Sequence, residues 1–273
     1  MSEATNHEHS QDQGTDTPYV WSNRWEKAEQ RLTLLNEALD NGTRHRMLGL
    51  GLRPGWRCLD VATGAGSVAR WLSERVGPTG HVVATDVDTR LLTGLQAANL
   101  EIVQHNVLTD PPPGRDFDLL HTRGLLMHLP QREQVLASLI DLVTPGGAAL
   151  IEEFDLYAIH AIGSPAYAAA WRQVASILSK AGFQDRWARG LPALLSQAGL
   201  TDVQCIAETI FFPGGSGAAQ WVLLTWEQAL DRLDPSLSQS DELTQARREL
   251  ADGERWFVLP TLVCAWGRRR ATP

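Results

Sequence analysis

Cysteine is scarce in this chain: its 273 residues include only three, Cys58, Cys205 and Cys264, at irregular spacing. An odd and irregular count argues against a disulfide framework and suits a reducing compartment. Histidines and carboxylates likewise show no spacing that is typical of a metal site. We therefore expect a cytoplasmic protein without a metal, whose 43% hydrophobic residues are sufficient to build a core.

Long apolar runs and long basic runs are missing as well. No apolar stretch approaches the ~20 residues needed to span a membrane, and residues 1–17 lack the apolar core of a signal peptide. The net charge is −8, and the basic run at 268–270 is short, so bulk binding to nucleic acid is not expected. The sequence thus predicts neither a membrane nor a nucleic acid as a partner.

From Trp56 onward, short apolar runs alternate with segments of helical periodicity. The apolar runs predict strands at 57–62, 81–86, 100–106, 116–122 and 148–154. Helices are predicted between them at 67–75, through Leu91 and Leu95, and at 131–143. This alternation is typical of a parallel sheet with helices on both faces.

Helical additions flank this core on both sides. Apolar spacing predicts helices at 25–39 and 43–50, separated by Asn41-Gly42, and then at 164–181, 191–199 and over most of 216–251, interrupted at Asp234-Pro235. Two further strands are predicted at 202–212 and 255–266. We divide the chain into a disordered tail (1–18), an N-terminal helical cap (19–51), a cofactor-binding core (52–155), a helical insertion with a core helix (156–200), and the last strands with a helical insertion at 214–254 (201–273).

The most informative stretch is 58–67, an apolar run that ends in Asp60 and leads into a loop with Gly64 and Gly66. Residues 64–69 fit the dinucleotide pattern G-x-G-x-x-G/A, and Asp86 lies 22 residues beyond Gly64, where a ribose-binding acid is expected. The pattern alone would suit an NAD-dependent oxidoreductase.

Asp60 separates two cofactors that compete for this site. A carboxylate four residues before Gly64 would repel a pyrophosphate resting on the helix N-terminus. The same carboxylate would attract the sulfonium and ammonium groups of S-adenosylmethionine (SAM). No Tyr-x-x-x-Lys pattern follows the fourth predicted strand, which also disfavours the oxidoreductase. We therefore expect SAM as the cofactor and keep an NAD enzyme as a distant alternative.

As a set, these residues resemble the motifs of class I SAM-dependent methyltransferases. Residues 60–66 are similar to the first motif, Asp86 to the acid that binds the ribose, 105–107 to the adenine-binding turn, 117–130 to the fourth-strand motif and 145–147 to the fifth. The resemblance implies a Rossmann-like, seven-stranded, mostly parallel sheet with an antiparallel last strand, and S-adenosylhomocysteine as the product. It assigns cofactor binding to Asp60, Ala62, Gly64, Gly66, Asp86, Val87, Asn106, Val107, Thr122 and Arg123.

Two positions depart from the pattern of that family. Ala62 stands where the first glycine is usual, and its small side chain is expected only to shift the loop. Asn106 replaces the commoner aspartate, and its amide oxygen can still accept a hydrogen bond from the adenine amino group. Neither departure removes the cofactor prediction.

The acceptor is expected over the carboxyl ends of the strands, beneath the helical additions. Ten tryptophans is a high count for this length, and an aromatic lid suits a flat, hydrophobic acceptor. We assign acceptor binding to Trp21, Trp25, Trp171 and Trp221. Residues 19–26 and 123–130 resemble those of actinobacterial small-molecule methyltransferases of secondary metabolism, a group that includes enzymes methylating indoles.

The resemblance implies methyl transfer to a small aromatic natural product. An indole carbon or nitrogen is the first choice, as in a tryptophan-derived alkaloid or cyclodipeptide. O-methylation of a phenol or polyketide, C-methylation of a quinone, and a non-catalytic SAM-binding scaffold stay open.

His128 is the candidate general base, because it follows the fourth predicted strand and its ordinary pKa lies near operating pH. Tyr19 is the candidate donor or proton relay. The N-terminal helices could cover their own pocket or that of a second copy in a homodimer.

Overall fold

The computed structural model describes residues 20–234, 236 and 239–271. The predicted tail at 1–18, the candidate relay Tyr19 and the predicted helix break at Pro235 lie outside the described residues. Within the described part of the chain, none of the helices is both long and apolar enough to cross a membrane.

The centre of the fold is a seven-stranded sheet. Its strands lie in the order β3-β2-β1-β4-β5-β9-β6, and β9 is antiparallel to both of its neighbours. The strands of the main sheet are β1 (Arg57–Val61), β2 (His81–Asp86), β3 (Leu100–Gln104), β4 (Phe117–Arg123), β5 (Val143–Asp155), β6 (Leu200–Glu208) and β9 (Thr261–Arg269). β7 (Phe211–Pro213) and β8 (Trp256–Val258) form a separate two-stranded sheet. The predicted mostly parallel, Rossmann-like sheet is therefore confirmed.

Eight α-helices in the described residues surround the sheet. They are α1 (Ala28–Gly49), α2 (Ser67–Val76), α3 (Arg132–Ile140), α4 (Tyr157–Ile162), α5 (Pro165–Lys180), α6 (Leu191–Gln197), α7 (Gly217–Leu233) and α8 (Asp241–Leu250). The central strands β1 and β2 are almost entirely buried, as parallel strands covered on both faces must be.

Two cores lie on the two faces of the sheet, and a third belongs to the added helices. Met47 of α1 and Leu72 of α2 pack on one face, and Leu136 of α3 and Leu195 of α6 pack on the other. The third core joins α5, α7 and α8 around Trp226. This helical layer stands beside the end of β5, so it can cover the carboxyl edge of the sheet.

The predicted break at Asn41-Gly42 is wrong. α1 runs without interruption from Ala28 to Gly49. Three of its buried polar residues bond to groups outside the helix. Asp40 accepts from Arg123, and Thr43 and Arg46 both donate to Glu152. A Cβ on Gly42 would lie 2.9 Å from the Arg46 guanidinium, so the glycine makes room for an ion pair instead of ending the helix.

Three other boundaries differ from the prediction. The helix expected through Leu91 and Leu95 is only a 3₁₀ turn, Thr89–Leu92. The strand expected at 202–212 is split into β6 and β7, and that expected at 255–266 is split into β8 and β9. The paired short strands leave the main sheet to join the helical layer, where Phe212 and Phe257 stack in its core. Local patterns could not distinguish this change of layer from a continuous strand.

Candidate functional site

The glycine loop lies where the carboxyl ends of β1 and β2 meet. β1 and β2 pair in parallel, so their last residues emerge side by side. The loop is fixed across this junction by two bonds, from the Thr63 amide to the Thr85 carbonyl and from the Gly64 amide to the Asp86 carboxylate, both at 2.9 Å. The predicted loop residue and the predicted ribose acid are thus in direct contact.

Left-handed backbone conformations shape this loop. Gly64 and Gly66 have φ values of 60° and 76°, which glycine adopts without strain. A Cβ on Gly66 would also lie 2.7 Å from Leu95 and 2.8 Å from Leu92. Ala62 has a φ of 57°, so the alanine does more than shift the loop: it adopts the conformation that a glycine would take, at a cost of about 1 kcal/mol.

Asp86 is held by backbone amides on two sides. Its second oxygen accepts a hydrogen bond from the Asp88 amide at 3.0 Å. Burial raises the pKa of Asp86, and the amides of Asp88 and Gly64 oppose that rise. A fixed carboxylate at this strand end can accept hydrogen bonds from paired hydroxyl groups.

Apolar side chains flank the neighbouring strand ends. Val87 follows β2 and is 45% exposed, and Leu108 lies beyond β3 and is 40% exposed. The side-chain oxygen of Asn106 accepts a hydrogen bond from the Leu108 backbone amide at 3.0 Å. The backbone amide of Asn106 donates to the Asp110 carboxylate. Because a carbonyl oxygen has two lone pairs, Asn106 keeps the capacity to accept a second hydrogen bond. Val107 lies between these residues in the same turn.

Asp60 is more deeply engaged than the sequence indicated. Its side chain is only 2% exposed. One oxygen contacts His121 Nδ1 at 2.6 Å, and the other accepts from the Thr63 hydroxyl at 2.5 Å. Asp60 therefore stands next to the loop as predicted, but its carboxylate is bonded to protein groups, so its charge is not simply free to attract a cation.

The two residues assigned to cofactor binding at the end of β4 are Thr122 and Arg123. Thr122 is fully buried, and its hydroxyl has no partner among the described residues. The Arg123 guanidinium donates to Asp40 and Thr43 of α1, each at 2.9 Å. The Arg123 side chain therefore anchors the cap helix, and the cofactor-binding roles of Thr122 and Arg123 stay predictions.

Comparisons with known proteins agree with this geometry. Residues 58–147 match the family model described as "Methyltransferase domain". The matched segment runs from β1 into β5 and so contains the glycine loop, Asp86 and His128.

One group of similar proteins carries a named activity. The chain is 34% identical, over 136 residues, to a protein from Ectopseudomonas mendocina named ubiquinone/menaquinone biosynthesis C-methyltransferase UbiE. That match covers 45% of this chain and 53% of the relative. The chain thus spans about half the length of the curated relatives that it matches.

Solved structures share the fold across most of the chain. The YcgJ protein from Bacillus subtilis is similar with a TM-score of 0.54 at 16% identity, covering 84% of this chain and all of that chain (100%). A phosphoethanolamine N-methyltransferase 2 from Haemonchus contortus, solved with S-adenosylhomocysteine, is similar with a TM-score of 0.51 at 14% identity, covering 89% of this chain and 52% of its own. At these identities the likeness shows the fold alone.

The residues at the strand ends fit SAM, the cofactor that the sequence predicts. Asp86 offers carboxylate oxygens beside the loop, and the exposed Val87 and Leu108 offer apolar surface for a flat base. The loop glycines let the backbone approach a ligand closely. SAM, when bound, supplies an electrophilic methyl group on a sulfonium.

The N-terminal segment 20–27 crosses the top of this edge. The Asn23 side chain donates to the Asp88 carbonyl at 2.8 Å, beside the ribose acid. Gln228 of α7 donates to the Ser22 carbonyl at 3.0 Å, and Lys27 forms an ion pair with Glu227. The segment therefore joins the cofactor edge to the helical layer.

His128 lies under this segment in an aromatic setting. Its ring packs between Trp21 and Phe183, with ring centroids 6.0 Å and 5.4 Å away. Burial and the positive charges of Arg31 and Arg132 lower the pKa of His128 to about 3. The imidazole is therefore neutral at physiological pH and a weak base in this state. The general-base role stays a prediction.

The predicted acceptor tryptophans occupy different environments. Trp21 is half-buried beside His128, with the Arg31 guanidinium 4.8 Å above its ring. Trp25 is half-buried and contacts Lys27. Trp221 is buried but packs toward Phe154 near the end of β5, with centroids 6.4 Å apart. Trp171 is buried in the helical core between Trp221 and Trp226, a position typical of packing.

Several buried polar residues beneath the site were not among the site residues assigned from the sequence. Glu153 is fully buried, and its carboxylate accepts three amide hydrogen bonds at 2.8–3.2 Å from Leu125, Leu126 and Met127. These amides begin the 3₁₀ turn Leu126–His128, so Glu153 holds the turn that carries His128. His121 and Glu152 were likewise outside that assignment. A charged side chain inside an otherwise apolar strand was the available signal for all three.

Proposed function

We propose that the chain transfers the methyl group of SAM to a small aromatic acceptor. The contact between the Gly64 amide and the Asp86 carboxylate carries this proposal, because it joins the two motifs that recognise the cofactor. The match of residues 58–147 to a methyltransferase domain supports it.

The acceptor lies, in this proposal, between the glycine loop and the aromatic residues around His128. Trp21 and Phe183 flank His128, and Phe154 packs with Trp221 near the end of β5. Flat rings stack favourably against such side chains. The chain's residues hold the acceptor near the cofactor, and such positioning supplies much of the acceleration of a group transfer.

The neutral, weakly basic His128 favours an acceptor atom that needs no strong base. An electron-rich ring carbon attacks through its π electrons and loses its proton afterwards, whereas an ordinary phenol must be deprotonated for attack. We therefore propose an indole carbon as the first acceptor and an indole nitrogen as the second. His128 and, from outside the described residues, Tyr19 remain the candidates to receive or relay that proton.

C-methylation of a quinone-type ring is the second candidate function. The printed name of the relatives, a ubiquinone/menaquinone biosynthesis C-methyltransferase, favours it. An indole carbon and a quinone-type ring carbon both take the methyl group on carbon, so these two acceptors share the same demand on His128.

The test is mass spectrometry after incubation with SAM that carries a deuterated methyl group. The acceptor panel contains indoles, tryptophan cyclodipeptides, reduced quinones and phenols. A product heavier by one labelled methyl group is expected from an indole, and fragmentation locates the methyl on carbon or nitrogen. Labelled phenol ethers alone would overturn the ring-carbon proposal. Tight SAM binding by calorimetry without any product would favour the non-catalytic scaffold.

A further inference from the structure

A buried histidine lies between two carboxylates below the cofactor loop. His121, in the middle of β4, is 2% exposed. Its Nδ1 contacts Asp60 at 2.6 Å, and its Nε2 contacts Glu152 at 3.2 Å. Because an ionised carboxylate only accepts hydrogen bonds, both ring nitrogens must donate, and only an imidazolium carries two donors. With Asp60 and Glu152 both ionised, this arrangement therefore calls for a positively charged imidazole.

The surroundings of His121 and Glu152 also favour their charged forms. Burial opposes the charge on His121, yet the hydrogen bonds to Asp60 and Glu152 raise its pKa to about 9. Burial also opposes ionisation of Glu152, yet the bond to His121 and the charges nearby lower its pKa to about 2. Arg46 contacts Glu152 directly and pairs with Glu208, and Arg123 bonds to Thr43 and pairs with Asp40. The other titratable groups nearby are Cys264, which bonds to Glu152, and Asp86, which interacts with Asp60.

On one side, this histidine reaches the cofactor loop through Asp60. The second oxygen of Asp60 accepts from the Thr63 hydroxyl at 2.5 Å. Thr63 immediately precedes Gly64, whose amide donates to Asp86. An unbroken series of contacts therefore runs from His121 through Asp60 and the loop to the ribose acid.

On the other side, it reaches the cap helix α1 through Glu152. Glu152 is fully buried and accepts from the Thr43 hydroxyl at 2.6 Å and from Arg46 Nε at 2.8 Å. Thr43 and Arg46 both belong to α1, whose residue Leu32 lies over the loop, 3.6 Å from a Cβ built on Gly64. The cap helix and the cofactor loop are thus joined through one imidazole.

We propose that His121 is a positioning residue: held between Asp60 and Glu152, it sets the cofactor loop and docks the cap helix over it. This inference rests on the proposed function, because it concerns the SAM site. It also gives Asp60 a role that differs from direct attraction of the cofactor's cation: Asp60 orients Thr63 and the loop. Loss of the imidazole would leave two buried carboxylates without their shared partner and loosen both attachments.

The test is calorimetric measurement of SAM affinity for a graded set of variants. His121→Asn keeps a donor near the Nδ1 position, and His121→Phe removes both donors. We expect the Kd for SAM to rise at least tenfold in His121→Phe and about threefold in His121→Asn, since a charge-assisted hydrogen bond is stronger than a neutral one. His81→Gln is the matched control, because His81 contacts Glu101 at the opposite end of its strand, and its Kd should equal that of the wild type.

A pH series separates positioning from mere stability. The ratio of the Kd of His121→Phe to that of the wild type should be at least ten at pH 7.5 and fall toward one above pH 9, where the wild-type imidazole loses its charge. The ratio cancels the titration of the cofactor's own ammonium group. A ratio that is constant with pH, or a His121→Phe Kd within twofold of the wild type, would overturn the proposal.

Two further measurements apply if His121→Phe does not fold. ¹⁵N NMR of the wild type should show both His121 nitrogens protonated at pH 7.5, and a neutral ring would contradict the proposal. Thr63→Val should raise the Kd severalfold while Thr63→Ser restores it; an unchanged Kd in Thr63→Val would contradict it too. If the wild type itself binds no SAM, the proposed function fails; if it binds and these variants bind equally well, only the role of His121 fails.

Discussion

Protonation of Glu153 is expected to control the stability of the turn that carries His128. Burial raises the pKa of Glu153 to about 7, against the three amide hydrogen bonds that lower it. The ordinary value is 4.5. A carboxyl whose pKa is higher in the folded state contributes stability that is fully present below pH 4.5 and is lost as the pH rises through about 7. At ~1.4 kcal/mol per pKa unit, the full loss is ~3 kcal/mol.

The perturbation is Glu153→Gln, which keeps an oxygen for the amides and removes the ionisation. The free energy of unfolding of the wild type, minus that of the variant, should therefore fall by about 2 to 3 kcal/mol between pH 5 and pH 8. For a chain of this size that is roughly 5–10 °C in the difference between the two melting temperatures. Subtraction removes other titrating groups, such as His121 and His128, because both proteins contain them.

The assay is urea unfolding followed by circular dichroism at several pH values, with calorimetric melting as a second readout. Glu133→Gln is the matched control, since Glu133 is exposed on the first turn of α3, and its difference from the wild type should not vary with pH. If the difference for Glu153→Gln is equally flat, Glu153 does not titrate in this range, and the reasoning from its burial is refuted.

Three other predictions concern the cofactor edge. Asp86→Ala should weaken SAM binding about 100-fold in calorimetry, because charge-assisted hydrogen bonds contribute ~1.5–3 kcal/mol each; unchanged affinity would remove the ribose assignment. His128→Ala should lower kcat more than it changes the Kd for SAM, and near-normal turnover would make His128 a bystander. Gly66→Ala should lower the melting temperature by several degrees, because its left-handed backbone and the nearby Leu92 and Leu95 leave no room for a Cβ; Gly94→Ala, in open space, is the control.

The sequence alone was enough to predict the sheet and its cofactor edge. Apolar runs that end in Asp60 and Asp86, with Gly64 and Gly66 between them, follow from local requirements: buried parallel strands, and a loop that must adopt left-handed conformations. Such features are written in consecutive residues. For that reason the mostly parallel sheet and the glycine loop at its carboxyl edge were predicted from the sequence, whereas the strand order and the bond between Gly64 and Asp86 came from the structure.

The continuous helix α1 and the partners of the buried charges were decided only by the tertiary structure. Asn41-Gly42 is locally a helix-ending signal, but Arg46 needs the space that Gly42 leaves and pairs with Glu152, 106 positions along the chain. Asp60 could be read as a charge facing a ligand, because nothing local indicates that His121 lies 2.6 Å from it. A buried charge is stable only beside a partner, and which residues become partners depends on how distant strands and helices meet.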